Sequence, residues 1–169
     1  IYYFWAYAQL AKQGVDMSNL VFSVPCGNLG NLVSGLVARE MGLPVRRFVA
    51  AENESRVFNE YMNSGKLVPK PSTGSIAPAL DAGNPTNFER IVDITGGVEQ
   101  ARELIHSHYY TDQQIIDTMN EVHKHHGYVL DPHSAVAYRA LCTDLQPGET
   151  GVSLATAPPA KFSTQVEMA

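Results

Sequence analysis

The chain has 169 residues, 44% hydrophobic and 17% charged, with a net charge of −5. That length can bury one sizeable core, and the balance excludes disordered and fibrous chains. The basic residues are scattered, Arg46-Arg47 being the only adjacent pair, so no stripe is available for a nucleic-acid backbone and a small-molecule partner is expected.

The opening run Ile1-Tyr2-Tyr3-Phe4-Trp5-Ala6-Tyr7-Ala8 begins a helix predicted to reach Gly14, with the pattern of a buried element. The run is too short to cross a bilayer and lacks the basic lead-in of a signal peptide, so no membrane contact is expected. Neither a methionine nor a polar tail precedes it, which leads us to expect a piece of something longer. Leu20 to Pro25 is a short apolar run, rich in branched and aromatic residues, that predicts a buried strand. After the loop Cys26-Gly27-Asn28-Leu29-Gly30-Asn31, apolar residues at helical spacing from Leu32 to Met41 predict a helix that stops at Gly42. Val45 to Ala51 is a second strand. Strand, glycine loop, helix and strand in this order make a βαβ unit, and the fold class expected is α/β with a parallel sheet flanked by helices.

Further helices are predicted at Ser55 to Asn63, Asn87 to Ile94, Gln100 to His106, Thr111 to His125 and Ser134 to Leu145. The fourth is capped by Thr111 with Asp112 in its first turn. Gly65 to Pro78 is a long connection carrying Pro69, Pro71 and Gly74, the kind of loop that is functional or mobile. A last strand is expected over Gly151 to Ala155. The two cysteines, Cys26 and Cys142, are far apart and fit a reducing compartment, which points to the cytoplasm.

Gly27 to Asn31 is the most informative segment for chemistry. Between a buried strand and a helix, glycines permit close backbone approach, successive N–H groups converge, and the helix dipole favours an anion such as phosphate. No Gly-Lys-Ser/Thr follows, and the middle glycine of a dinucleotide fingerprint is missing. By spacing alone, a tight turn that only joins strand to helix explains the loop equally well. Histidines at 106, 108, 123, 125 and 126 fall on predicted helices or their ends. His123 and His126 are one turn apart, as two metal ligands would be, but no partner completes a shell and no metal is expected. Asp131 or Ser134 can cap the helix that follows His133. Cys26 precedes a helix N-terminus, where a thiol can become reactive.

The segment Val21 to Asn31, continuing through Gly35 and Ala38 to Met41-Gly42-Leu43-Pro44-Val45, resembles the phosphate-cradle region of threonine synthases. That family usually has serine or threonine at Cys26 and phenylalanine at Leu29, changes that keep size, so Cys26 reads as a substitution rather than a nucleophile. Ile1 to Tyr7, Ala79-Leu80-Asp81-Ala82-Gly83-Asn84-Pro85-Thr86-Asn87-Phe88-Glu89-Arg90, Leu130-Asp131-Pro132-His133-Ser134-Ala135-Val136-Ala137-Tyr138 and Ala155 to Phe162 extend the likeness to both ends of the chain. The last segment has Pro158 where a histidine is common.

The resemblance implies a fold type II (tryptophan synthase β-like) enzyme converting O-phospho-L-homoserine and water to L-threonine and phosphate with pyridoxal 5'-phosphate. It implies that residues 1–169 form the C-terminal portion of the large cofactor-binding domain, with the long loop at 65–78. The backbone of Gly27, Asn28, Leu29, Gly30 and Asn31 would hold the cofactor phosphate, and the Thr156 hydroxyl the pyridine nitrogen. Read without the family, Thr156 is a strand-end residue bonding its own backbone. The family's Schiff-base lysine comes from a region that would precede Ile1. Lys12, Lys66, Lys70, Lys124 and Lys161 do not replace it, so this chain by itself should be catalytically incomplete. The long loop around Ser72 to Ser75 is a further candidate contact for the substrate phosphate, with Thr73 as its test position. Rival readings are a phospholyase or threonine dehydratase of the same fold type, and a stand-alone phosphate- or nucleotide-binding module in which Glu52 holds a ribose.

Overall fold

The structure, a computed structural model, describes residues 1–169. In chain order the elements are α1 (Tyr2–Lys12), β1 (Leu20–Pro25), α2 (Gly30–Glu40), β2 (Arg47–Glu52), α3 (Val57–Ser64), a 3-10 turn (Pro78–Leu80), α4 (Phe88–Thr95), α5 (Val98–Leu104), β3 (Ile105–Tyr109), α6 (Asp112–His126), α7 (Pro132–Asp144), β4 (Thr150–Ser153), a second 3-10 turn (Pro159–Phe162) and α8 (Ser163–Val166). The four strands form one parallel sheet in the order β3-β2-β1-β4.

Every residue of β1 and β2 is buried, the expected result for central parallel strands covered on both faces. Their side chains alternate between two cores. Leu20, Phe22, Val24, Phe48 and Ala50 meet Tyr3, Leu36, Phe58 and Ile91 on the face covered by α1 to α5. Val21, Val49 and Ala51 meet Ile115, Met119, Ala135 and Ala140 on the face covered by α6 and α7. Ser23 points to that second face, and its hydroxyl donates to the Ala137 carbonyl of α7 at 2.6 Å.

Helix ends follow from local chemistry. Thr111 caps α6 by a reciprocal pair of bonds with Gln114, and Gly127 closes it in the left-handed conformation, φ 65°. Asp131 caps α7 by accepting the His133 N–H at 3.0 Å, with Pro132 in the first turn.

Two expectations are corrected. The helix predicted to end at His106 stops at Leu104, and residues 105 to 109 form the edge strand β3, paired in register with β2 from Phe48↔Ile105 to Glu52↔Tyr109. Pairing with a neighbouring strand, not local propensity, decides this polar segment. It places His106 and His108 on one side of the strand. Within residues 1–169 the first helix is two-faced rather than buried all round. Tyr3 alone is buried, with Ala6, Tyr7 and Leu10 packed as a stripe at helical spacing, while Tyr2 and Trp5 stand 74% and 67% exposed.

Candidate functional site

In a parallel sheet all carboxyl ends open on one edge, and ligands bind where the strand order reverses. Here the chain runs from β1 to β2 and β3 on one side and returns with β4 on the other, so the reversal lies at β1. Cys26 to Asn31 leave the sheet at that point.

The backbone N–H groups of Gly27 through Leu32 donate to no acceptor within the chain; the first bond of this stretch is Val33 N–H to the Leu29 carbonyl at 2.9 Å. Leu29 stands at the helix N-cap with φ 62° and ψ 0°, a left-handed conformation that costs about 1 kcal/mol or more for a residue with a Cβ. Its side chain, 2% exposed in the first core, anchors that conformation. Unpaired amides at a helix N-terminus form an anion cradle, and a phosphate group fits this donor set.

Three segments shape the cradle. On one wall, the Pro78–Leu80 turn comes so close that a Cβ on Gly27 would lie 2.4 Å from the Ala79 oxygen. That turn is itself held by Asn53 Nδ2 to Ala77 O at 3.3 Å, Ser55 Oγ to Leu80 O at 3.4 Å and Ala79 N–H to His133 Nε2 at 3.1 Å. On the other wall, Asn87 Nδ2 donates to Asn28 O at 2.8 Å, Thr86 N–H to Asn28 Oδ1 at 3.4 Å, and Arg90 Nη1 to Asn87 Oδ1 at 2.7 Å. Behind it, the Tyr3 hydroxyl donates to Asn31 O at 2.8 Å. The structure thus gathers the segments 1–7, 79–90 and 130–138 around residues 27–31. Asn53 and Ser55 escape sequence reasoning. Their one signal is their place just after a buried strand.

Thr156 lies beyond β4 at the same edge of the sheet, exposed and without a hydrogen bond, so the backbone-bonded alternative does not hold. Pro158 opens the second 3-10 turn, whose Phe162 ring packs 4.4 Å from that of His133. Cys26 is buried, its thiol donates to Val24 O at 3.2 Å, and burial pushes its pKa up, which is the reverse of an activated nucleophile.

Glu52 does not face a ligand. Its carboxylate accepts the N–H groups of Phe58 at 3.0 Å and Asn59 at 2.6 Å and so caps α3; burial pushes its pKa up to about 7 against those two donors. The ribose-holding role is thereby corrected. The long loop is ordered by carboxylates: Asp81 accepts Gly74 N–H at 2.7 Å and the Ser72 hydroxyl, and Asp112 accepts the Ser75 hydroxyl at 2.6 Å. Thr73 Oγ1 stands 3.5 Å from Asp81. His106 Nδ1 and His108 Nε2 share one oxygen of Asp144 at 2.7 and 3.1 Å, while Arg47 bonds the other Asp144 oxygen and both oxygens of Glu149. His123, His125 and His126 lie exposed in the last turn of α6. No helix is long and apolar enough to cross a membrane.

Residues 2–157 match the model of the family described as pyridoxal-phosphate dependent enzymes. The chain belongs to that family. Among its relatives, the threonine synthase of Serratia marcescens is 42% identical over 167 residues, covering 98% of this chain and 38% of that protein. The solved threonine synthase of Escherichia coli superposes with a TM-score of 0.84 at 40% identity, over 89% of this chain and 35% of that one. The pyridoxal phosphate-bound threonine synthase of Brucella melitensis gives a TM-score of 0.89 at 27% identity, over 99% and 41%. This member of the pyridoxal-phosphate dependent enzymes therefore has the type II fold expected from its sequence, and it spans well under half the length of these relatives.

Proposed function

We propose that the chain is the C-terminal portion of the large cofactor-binding domain of a threonine synthase, a lyase acting on a phosphate ester, which converts O-phospho-L-homoserine and water to L-threonine and phosphate. The observation that carries this reading is the row of unpaired amides at Gly27–Leu32, in a chain 40% identical to a threonine synthase of the same fold. Pyridoxal phosphate, when bound, supplies an electron-withdrawing ring that stabilises negative charge on substrate carbon.

The chain's own residues hold and orient it. The N–H groups of Gly27, Asn28, Leu29, Gly30 and Asn31 would donate to the cofactor phosphate, and the helix dipole of α2 would add to their attraction. The Thr156 hydroxyl, free of other partners, would donate to the pyridine nitrogen of the bound cofactor. A neutral hydroxyl, unlike a carboxylate, leaves that nitrogen largely unprotonated and so moderates the ring's electron demand. The Schiff-base lysine belongs to the part of the enzyme that this chain does not span. Lys70 supports that assignment, being paired with Glu60, as do Lys12, Lys66, Lys124 and Lys161, which are exposed side chains. A cytoplasmic location accords with two cysteines that form no disulfide. Threonine and inorganic phosphate formed in equal amounts from O-phospho-L-homoserine by the full-length enzyme test the reading. Ammonia and a keto acid in their place would reassign the chain to a dehydratase.

A further inference from the structure

His133 is 2% exposed, and both of its ring nitrogens are engaged. Nδ1 lies 2.8 Å from Asp131 Oδ1. Burial alone would raise the Asp131 carboxyl, but donors from His133 and Ser134 hold it below the usual carboxylate range. A carboxylate only accepts, so the proton sits on Nδ1. At the other side of the ring a backbone amide, Ala79 N–H, points at Nε2 from 3.1 Å. A backbone amide only donates, so Nε2 carries a lone pair. The two contacts select the same neutral tautomer, and neither nitrogen is free to exchange a proton with a substrate.

The bond to Ala79 is the hydrogen bond by which α7 holds the N–H side of the Pro78–Leu80 turn. The carbonyl of that same residue is the wall against Gly27, which begins the row of unpaired amides. We infer that His133 is a positioning residue for the phosphate cradle: Asp131 orients its ring, its Nε2 fixes Ala79, and Ala79 sets where the Gly27–Leu32 amides converge. The inference rests on the cradle reading given above. A helix cap needs only Asp131 and the backbone N–H of residue 133, so Nε2 of the buried ring is left for this second task.

Two variants separate the tasks, since both keep that backbone cap. His133→Gln offers a carbonyl oxygen near the position of Nε2, whereas His133→Asn ends a bond short of it. Binding of pyridoxal phosphate and of pyridoxal to the full-length enzyme, followed by absorbance, gives a ratio of affinities that reports the phosphate contact alone. In wild type the phosphorylated compound binds more tightly; the ratio falls at least about fivefold in His133→Asn and stays within about twofold in His133→Gln. An unchanged ratio in His133→Asn, or an equal fall in both variants, overturns the role of His133 and leaves the cradle standing. A wild-type ratio near one removes the cradle reading and this inference together. Should the variants not fold, ring nitrogen-15 shifts of the wild-type chain decide. Nδ1 must be protonated and Nε2 not, and added inorganic phosphate must move the Ala79 amide along with those of Gly27–Leu32. A protonated Nε2, or an Ala79 amide that does not respond, overturns it.

Discussion

Replacing Gly27 by alanine tests the cradle through sterics, because Gly27 does not have the positive φ that favours glycine. The added Cβ would lie 2.4 Å from Ala79 O and 2.9 Å from Leu80 Cα, both backbone atoms. Relief requires the Pro78–Leu80 turn to retreat, and that turn is tied by Asn53, Ser55 and His133. Overpacking a tight contact costs about 1–3 kcal/mol, and each hydrogen bond given up costs about 0.5–1.5 kcal/mol net. We expect Gly27→Ala to lose about 2–3 kcal/mol in urea unfolding, with a Tm lower by roughly 4–12 °C for a chain of this size. Gly30→Ala is the control. Its Cβ would meet only the Asn87 side-chain amide, at 3.3 Å, and a side chain can turn aside. Stabilities of the two variants within about 0.5 kcal/mol of each other would refute the claim that the turn is pinned.

Four other outcomes follow from contacts elsewhere in the fold. Glu52 has its pKa raised from 4.5 to about 7, so the folded state holds a proton the unfolded state has lost; the contribution to stability is complete below 4.5 and falls by on the order of 3 kcal/mol as pH rises through 7, a slope that Glu52→Gln should remove in pH-dependent unfolding. Arg47→Ala, by leaving Asp144 and Glu149 without their buried partner, should cost about 3–5 kcal/mol by urea titration. Gly35→Ala would press a Cβ to 2.6 Å from the Phe48 ring and 2.8 Å from that of Tyr3, with an expected loss of about 1–3 kcal/mol by thermal melting. Tyr3→Phe removes the donor to Asn31 O and should cost about 1 kcal/mol by the same measurement.

The parts legible in the sequence are those whose signal is local. The short apolar run of β1, the glycines after it and the Thr111 cap each state their structure within a few residues. β3 is illegible because its polar alternation, Ile105-His106-Ser107-His108-Tyr109, takes its meaning from β2, whose pairing partners precede it by more than fifty residues in the chain. The half-exposed face of α1 is hidden by aromatic composition, which reads as buried wherever the stripe Tyr3, Ala6, Tyr7 and Leu10 points. At the site, Gly27 to Asn31 stand out by themselves. The ties from Asn53, Ser55 and His133 to the Pro78–Leu80 turn do not, since each joins a side chain to a main-chain atom, and main-chain acceptors and donors leave no mark on sequence.

The cradle's walls have a consequence for how the chain comes apart. Residues 27, 79, 87 and 133 belong to segments spread along most of the polypeptide, yet one run of contacts links them through the Gly27-Asn28 loop. An anion seated on the Gly27–Leu32 amides is therefore coupled to both faces of the sheet at once, to α2 on one side and α7 on the other. Binding should raise protection from amide exchange in the first turn of α7 as well as in the loop itself, by mass action on a shared opening. A ligand phosphate seated there would act as a keystone, its retention a gauge of whether α2 and α7 stay joined through the Pro78–Leu80 turn.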